Sequence, residues 1–296
     1  MKKFVLGLQH LLAAFGATIL VPLLVGIDPK LALFSAGVGT LIFHICTKMK
    51  VPVFLGSSFA FVAPLITVFT QTGDYAYAAG GSVVAGALYL VFAMIVKIVG
   101  VEKISKLFPP HIVGTMIIII GMTLAPTAVS MASENWIIAL VALSTALLIS
   151  TLTKGFVSNL SVIIGMSVGY IVASLMGEVD FSILKAGSVF AVPEFVIPKF
   201  RLDAILIIAP VVLATFMEHI GDITTNGSVV GKDFVKDPGL HRTLIGDGLA
   251  TMFAGLMGSV PNTTYSENTG VLAITKNYDP RTLRIAAVLA IAFSFF

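Results

Sequence analysis

Long apolar runs broken by short polar stretches fill the chain. Eleven runs stand out, at residues 4–26, 31–46, 52–70, 76–99, 111–130, 135–153, 157–177, 203–230, 241–258, 260–276 and 282–296. An α-helix needs about 20 apolar residues to cross a bilayer, and most of these runs approach that length. The pattern predicts an all-α polytopic membrane protein of about eleven spans. The first run is too long for a signal-peptide core and lacks a small-residue cleavage site, so it is expected to be a true span. The longest connection, 178–202, carries Pro193 and Pro198 and is expected to link two halves on the outer side.

Runs 3 and 10 depart from the pattern. Each opens on a proline, at Pro52 and Pro261, and continues with residues that favour extended chain: Gly56-Ser57-Ser58 in one, Asn262-Thr263-Thr264 in the other. An apolar helical stretch follows in both. Unwound backbone at membrane depth is tolerated only where protein buries it or where it lines a cavity. A half-helix starting near Ser57 or Glu267 would aim free N–H groups at such a cavity.

Composition fits this frame. The 296 residues are 57% hydrophobic and 11% charged, against about 25% charged in soluble domains. A net charge of +3 with no basic stripe argues against nucleic acid as a partner. The single cysteine, Cys46, excludes an internal disulfide. With no phosphate loop, nucleophile–base set or metal cluster in the sequence, an enzyme and a protein-bound cofactor are not expected. If the N-terminus is cytoplasmic, 14 of the Lys and Arg residues fall inside and only Lys30, Lys185, Lys199 and Arg201 fall outside.

A shift of 209 residues lays the chain on itself without a gap over some fifty residues. His10 meets His219, Asp28-Pro29 meets Asp237-Pro238, Gly37 and Gly39 meet Gly246 and Gly248, and Val51-Pro52 meets Val260-Pro261. The second copy starts seven spans after the first, and an odd number of spans inverts it in the membrane. Inverted repeats with a midplane site are the pattern of secondary transporters.

Charged groups inside a membrane are expensive and usually functional. Four acids stand out: Glu218 and Asp222 in span 8, Asp247 in span 9 and Glu267 in span 10. No deep Lys or Arg is placed to pair with them. Glu218 and Asp222 lie four apart, on one helix face. Such acids either carry a proton or bind a group that donates hydrogen bonds; Asp247 fits a packing brace as well. Carboxylate acceptors beside free N–H donors suit a neutral ligand with both N–H and C=O groups. His10 and His219 fit structural donors as well as function, and His44, His111 and His241 are expected near the membrane interface.

These residues also carry a resemblance. Leu8-Gln9-His10, Phe15-Gly16-Ala17-Thr18, Gly56-Ser57-Ser58-Phe59-Ala60-Phe61, Glu218-His219-Ile220-Gly221 and Asn262 to Val271 resemble the nucleobase–ascorbate family, also called nucleobase–cation symporter type 2. Asp237-Pro238-Gly239-Leu240-His241-Arg242 is similar to a loop of its uracil-transporting branch. The resemblance runs the whole chain and implies inverted seven-span repeats, with short paired strands in spans 3 and 10. It divides the chain into a core unit at 1–100 (spans 1–4), half of a gate unit at 101–201 (spans 5–7) and a second core unit at 202–296 (spans 8–11). Spans 12–14 of the family pattern are absent, so the chain is expected to be a fragment.

The resemblance further implies a site built from Glu218, Glu267, Phe59, Ser266, Tyr265 and Ala17, with Glu218, Asp222 and His219 in proton coupling. The implied activity is proton-coupled uracil symport by alternating access in the cell (inner) membrane, with H+ or Na+ as coupling ion. The implied partners are a nucleobase, the lipid bilayer and a second copy in a homodimer. Asp222 stands where uracil-type members often carry His, which leaves a xanthine- or urate-type purine symporter open. A non-transporting membrane fragment is the third expectation.

Overall fold

The computed structural model describes residues 2–107, 110–180 and 190–296. Its helices follow the apolar runs. The first half holds α1 (Lys2–Val25), α2 (Pro29–Cys46), α3 (Val62–Thr72), α4 (Tyr75–Val99) and the short α5 (Val101–Leu107). Then come α6 (Pro110–Glu134), α7 (Trp136–Leu152), α8 (Phe156–Asn159) and α9 (Ser161–Leu175). The second half holds α10 (Leu202–Ile208), α11 (Val212–Val230), α12 (Leu240–Met257), α13 (Ser266–Thr275) and α14 (Pro280–Phe293). Strands β1 (Leu55–Ser57) and β2 (Asn262–Thr264) occupy the two broken runs. Among the described residues, five helical stretches are long and apolar enough to cross a membrane: 3–25, 29–46, 75–99, 114–134 and 202–230. Exposed apolar side chains such as Ile118, Leu140, Leu147 and Leu175 suit lipid as solvent. The chain is a multi-pass membrane protein.

Aspartates start three of the helices. Asp28 accepts from the Lys30 N–H at 2.9 Å with Pro29 at the first helical position, and Asp279-Pro280 repeats the device at Arg281, 3.0 Å. Asp74 does the same for α4 through the Ala76 N–H, 2.9 Å. The repeat-mate of Asp28, Asp237, does not cap α12. Gly239 takes the cap position, and the Asp237-Pro238 peptide is cis. Asp237 instead pairs with Lys50 at 2.6 Å.

The inverted repeat is visible in the strand pair. β1 and β2 run antiparallel with Leu55 opposite Thr264, Gly56 opposite Thr263 and Ser57 opposite Asn262. The ladder continues on both sides, with Tyr265 N–H donating to Phe54 O (3.1 Å) and Ser58 N–H to Pro261 O (2.9 Å). Leu55 and Thr264 are themselves 209 apart, so at this pair a residue of one copy faces its own repeat-mate in the other. Packing repeats the symmetry: α12 lies on α4 as α2 lies on α14. Gly86 and Gly248 permit the first contact. A Cβ on Gly248 would sit 2.6 Å from Tyr89 Cβ and 2.9 Å from Gly86 O.

α7 packs chiefly on α9 and buries none of its described residues. This group meets the rest where α9 touches α1, α8 touches α13 and α6 touches α11. Among the described residues, three ion pairs join distant loops: Lys3–Asp279 (2.7 Å), Lys50–Asp237 and Lys199–Asp74 (2.7 Å). Each joins two loops that the eleven-span reading puts on the same side; a miscounted span would set a pair across the bilayer. Of the 178–202 connection, 181–189 and with them Lys185 lie outside the described residues. Its later part runs over neighbouring span ends, with Val196 N–H on Met257 O (3.1 Å) and Lys199 N–H on Ala76 O (2.9 Å).

Candidate functional site

The unwound segments before the two half-helices are held by side chains from distant helices, as a membrane interior requires. Thr40 of α2 accepts from the Leu55 N–H at 2.9 Å. Thr251 of α12 donates to Asn262 O at 3.0 Å. Asn226 of α11 donates to Pro52 O and to Thr269 Oγ1, both at 3.1 Å. The Asn262 amide reaches Ser35 O and Oγ at 3.2 Å and Ala250 O at 3.3 Å. His44, in the last turn of α2 and so near a span end as expected, is buried, with Nε2 2.9 Å from Val53 O. The cause is the 51–54 stretch, which folds back on the end of α2.

Both half-helices start without a side-chain cap. The first begins as a 3-10 turn at Phe59–Phe61 before α3, two residues later than the expected Ser57. The second begins at Ser266, after Tyr265. Neither is a continuous helix capped by Ser57 or Thr263. Uncapped N-terminal N–H groups carry partial positive charge and are open to a ligand acceptor.

A cavity of about 430 Å³ opens beside these starts, within the usual range of small-molecule sites. One wall is the small-residue face of α1: Ala13, Gly16, Ala17 and Leu20, at helical spacing. Phe59, Glu267 and Gly270 come from the half-helices. Ser158, Ser161, Val162 and Ile163 close the far side from α8 and α9. The structure thus gathers Ala17, Phe59 and Glu267 around one cavity. A larger cavity of about 900 Å³ lies at the loop end between α4–α5 and residues 233–236 and holds none of the intramembrane acids.

The other expected site residues stand outside the lining. Tyr265 is 5% exposed; its hydroxyl donates to Ser57 O at 2.9 Å, and its ring lies on Gly56. Ser266 donates to Asp222 Oδ1 and Thr264 to Asp222 Oδ2, both at 2.6 Å. Glu218 lies one turn before Asp222 on α11, which packs against β2 and α13. His219 is fully buried, with Nδ1 3.0 Å from Asp247 Oδ2, although the two are not aligned as a hydrogen bond. Its repeat-mate His10 takes a different partner: the Asn268 amide lies 3.1 Å from His10 Nδ1 and 2.9 Å from His10 O.

Sequence reasoning missed Ser158 and Ser161. Their signal was a pair of hydroxyls three apart, interrupting an apolar run just after Lys154-Gly155. It also missed Asn226, and it named Asn262 and Asn268 only as parts of an extended stretch and a motif, since their amide partners become intelligible once the unwound carbonyls are located.

Crossed half-spans with uncapped starts, an acid at a cavity and an inverted repeat define a multi-pass transporter fold. The chain belongs to the Permease family, whose profile matches residues 1–296. It is 46% identical to the uracil permease of Bacillus caldolyticus over 98% of this chain and 70% of that protein. It is 44% identical to a probable uracil permease of Haemophilus influenzae, over 100% of this chain and 73% of that protein. The uracil permease of Escherichia coli K12 is 40% identical over 98% of this chain and 70% of its own length. Among solved structures, the transmembrane domain of a cyanobacterial bicarbonate transporter, BicA, superimposes with a TM-score of 0.67. That match covers 99% of this chain and 87% of that one at 14% identity, a likeness of fold.

Proposed function

We propose that this chain carries the substrate site of a proton-coupled uracil symporter that works by alternating access. The observation that carries the reading is Glu267, placed on the cavity at an uncapped helix start with Phe59 on the same cavity. Uracil presents N–H donors flanked by carbonyls. A carboxylate accepts from the donors, while N–H groups at the two half-helix starts serve the carbonyls. The uracil permeases at 40–46% identity over nearly the whole chain support the choice of substrate.

In this reading Glu218 is the second acceptor and the coupling acid, with His219 beside it. The units at 1–100 and 202–296 move together against the helices of 101–201, and the two faces of the cavity open in turn. The membrane is the cell membrane, the N-terminus is cytoplasmic and two copies form a dimer. Residue 222 favours one second reading, a purine-base symporter, because Asp there is commoner in purine-type members.

The test is uptake of labelled uracil by cells carrying the natural protein or its Glu267→Gln variant. The variant is expected at normal abundance with uptake abolished; normal uptake overturns the assignment. Competition by uracil, xanthine and urate separates the two substrates. Collapse of uptake by a protonophore, but not by removal of sodium, is expected for proton coupling.

A further inference from the structure

Asp222 is a carboxylate at membrane depth whose two oxygens are both engaged. Oδ1 accepts from Ser266 Oγ and Oδ2 from Thr264 Oγ1, each at 2.6 Å. Both donors belong to the stretch that leads into Glu267. Side chains alternate along extended chain, and that alternation sorts this stretch. Thr264 and Ser266 point toward α11 and meet Asp222. Tyr265 points the other way, onto Gly56, and spends its hydroxyl on Ser57 O. The segment is therefore held from both sides, by α11 and by β1, at the residue where strand geometry gives way to helix. Glu267 is the next residue, and the uncapped N–H groups of α13 start there.

We infer that Asp222 is a positioning residue for the substrate site: by clamping Thr264 and Ser266 it fixes the strand-to-helix switch that presents Glu267 and the first turn of α13 to the cavity. It does not carry the coupling proton. That task stays with Glu218, which makes no such pair of hydroxyl contacts among the described residues. The inference rests on the proposed uracil reading for its transport readout and on geometry alone for its structural one. The ionisable groups around Asp222 are Glu218 and His219 on its own helix, Glu267 on α13 and Asp247 on α12.

Two variants separate a clamp from a carrier. Asp222→Asn keeps one oxygen acceptor and offers an amide donor to the second hydroxyl, so the clamp survives while the titratable group is lost. Asp222→Ala removes the clamp. Uracil uptake is measured against concentration and pH in membrane vesicles, and amide hydrogen exchange is followed over residues 262–268. For the Ala variant the expected result is a KM raised about tenfold or more, with maximal rate changed far less, and faster exchange confined to that segment. The Asn variant should stay within about threefold of the unmodified KM, with an unmoved pH profile and unmoved exchange. Thr264→Ala with Ser266→Ala should reproduce the Asp222→Ala defect, and adding Asp222→Ala should cost little more, since the three act as one unit.

An Asn variant that keeps uracil exchange but loses proton-driven uptake makes Asp222 the coupling acid and overturns the inference. So does an Ala variant with unchanged KM or unchanged exchange at 262–268. If the unmodified protein transports no uracil, the functional reading fails instead, and the exchange measurement still decides whether Asp222 holds the segment.

Discussion

Gly56 lies at the centre of the strand crossing, and one added methyl there tests whether the crossing organises the site. A Cβ at Gly56 would fall against the ring of Tyr265 and 2.8 Å from Thr18 Oγ1. Neither neighbour has a free end. The Tyr265 hydroxyl is bound to Ser57 O at 2.9 Å, its N–H is bound to Phe54 O, and Thr18 donates to Ala14 O at 2.8 Å. Overpacking a tight site costs about 1–3 kcal/mol, and a displaced ring gives up a hydrogen bond worth about 0.5–1.5 kcal/mol. The sum for Gly56→Ala is about 1.5–4.5 kcal/mol, or roughly 10- to 2,000-fold in the equilibrium that keeps the crossing closed. Thermal unfolding in detergent and uracil binding by calorimetry should both show it. Gly121→Ala is the control: no described residue lies within 4 Å of its Cβ, so melting should hold or rise slightly. Pairing Gly56→Ala with Tyr265→Leu should cost less than the two changes summed, because the ring that clashes is gone. A Gly56→Ala protein that melts and binds uracil like the unmodified one would refute the argument.

Asn226→Ala should lower the melting temperature by the loss of about 1–3 kcal/mol, since it strips the donor from the buried Pro52 carbonyl; an unchanged melting curve rules this out. Gly248→Val should wedge α12 off α4 at Tyr89 and Gly86 and leave little folded protein, read as the monodisperse fraction on size exclusion. The loop ion pairs give a pH prediction. Lys199 and the Ala76 N–H hold Asp74 below the usual carboxylate range, as Lys50 holds Asp237 and Lys3 holds Asp279. Depressed folded values mean a contribution that is complete above the unfolded value of about 3.9 and is lost as pH falls through the folded ones. Melting should therefore be insensitive to these pairs between pH 8 and pH 5 and fall below about pH 4. Lys50→Gln should flatten part of that acid decline, and an unaltered acid limb would count against the pair.

Much of the architecture is local and so was readable along the chain. Hydropathy marked each of the eleven segments. The 209-residue repeat announced the inversion, and prolines followed by Ser, Thr and Asn marked where spans 3 and 10 break. Glu267 declared itself because an acid in an apolar run has no inexpensive alternative. Partner choice was not readable. Asp28-Pro29 and Asp237-Pro238 are the same dipeptide, yet one caps a helix and the other reaches Lys50, because different segments stand opposite them. His10 and His219 are repeat-mates with unrelated partners, Asn268 and Asp247. The sequence alone determined which backbone must leave the helical pattern, since that follows from residue type. Only the tertiary structure decided which groups satisfy that backbone, because Asn226 and Pro52, or Asp222 and Ser266, meet across 174 and 44 residues of intervening chain.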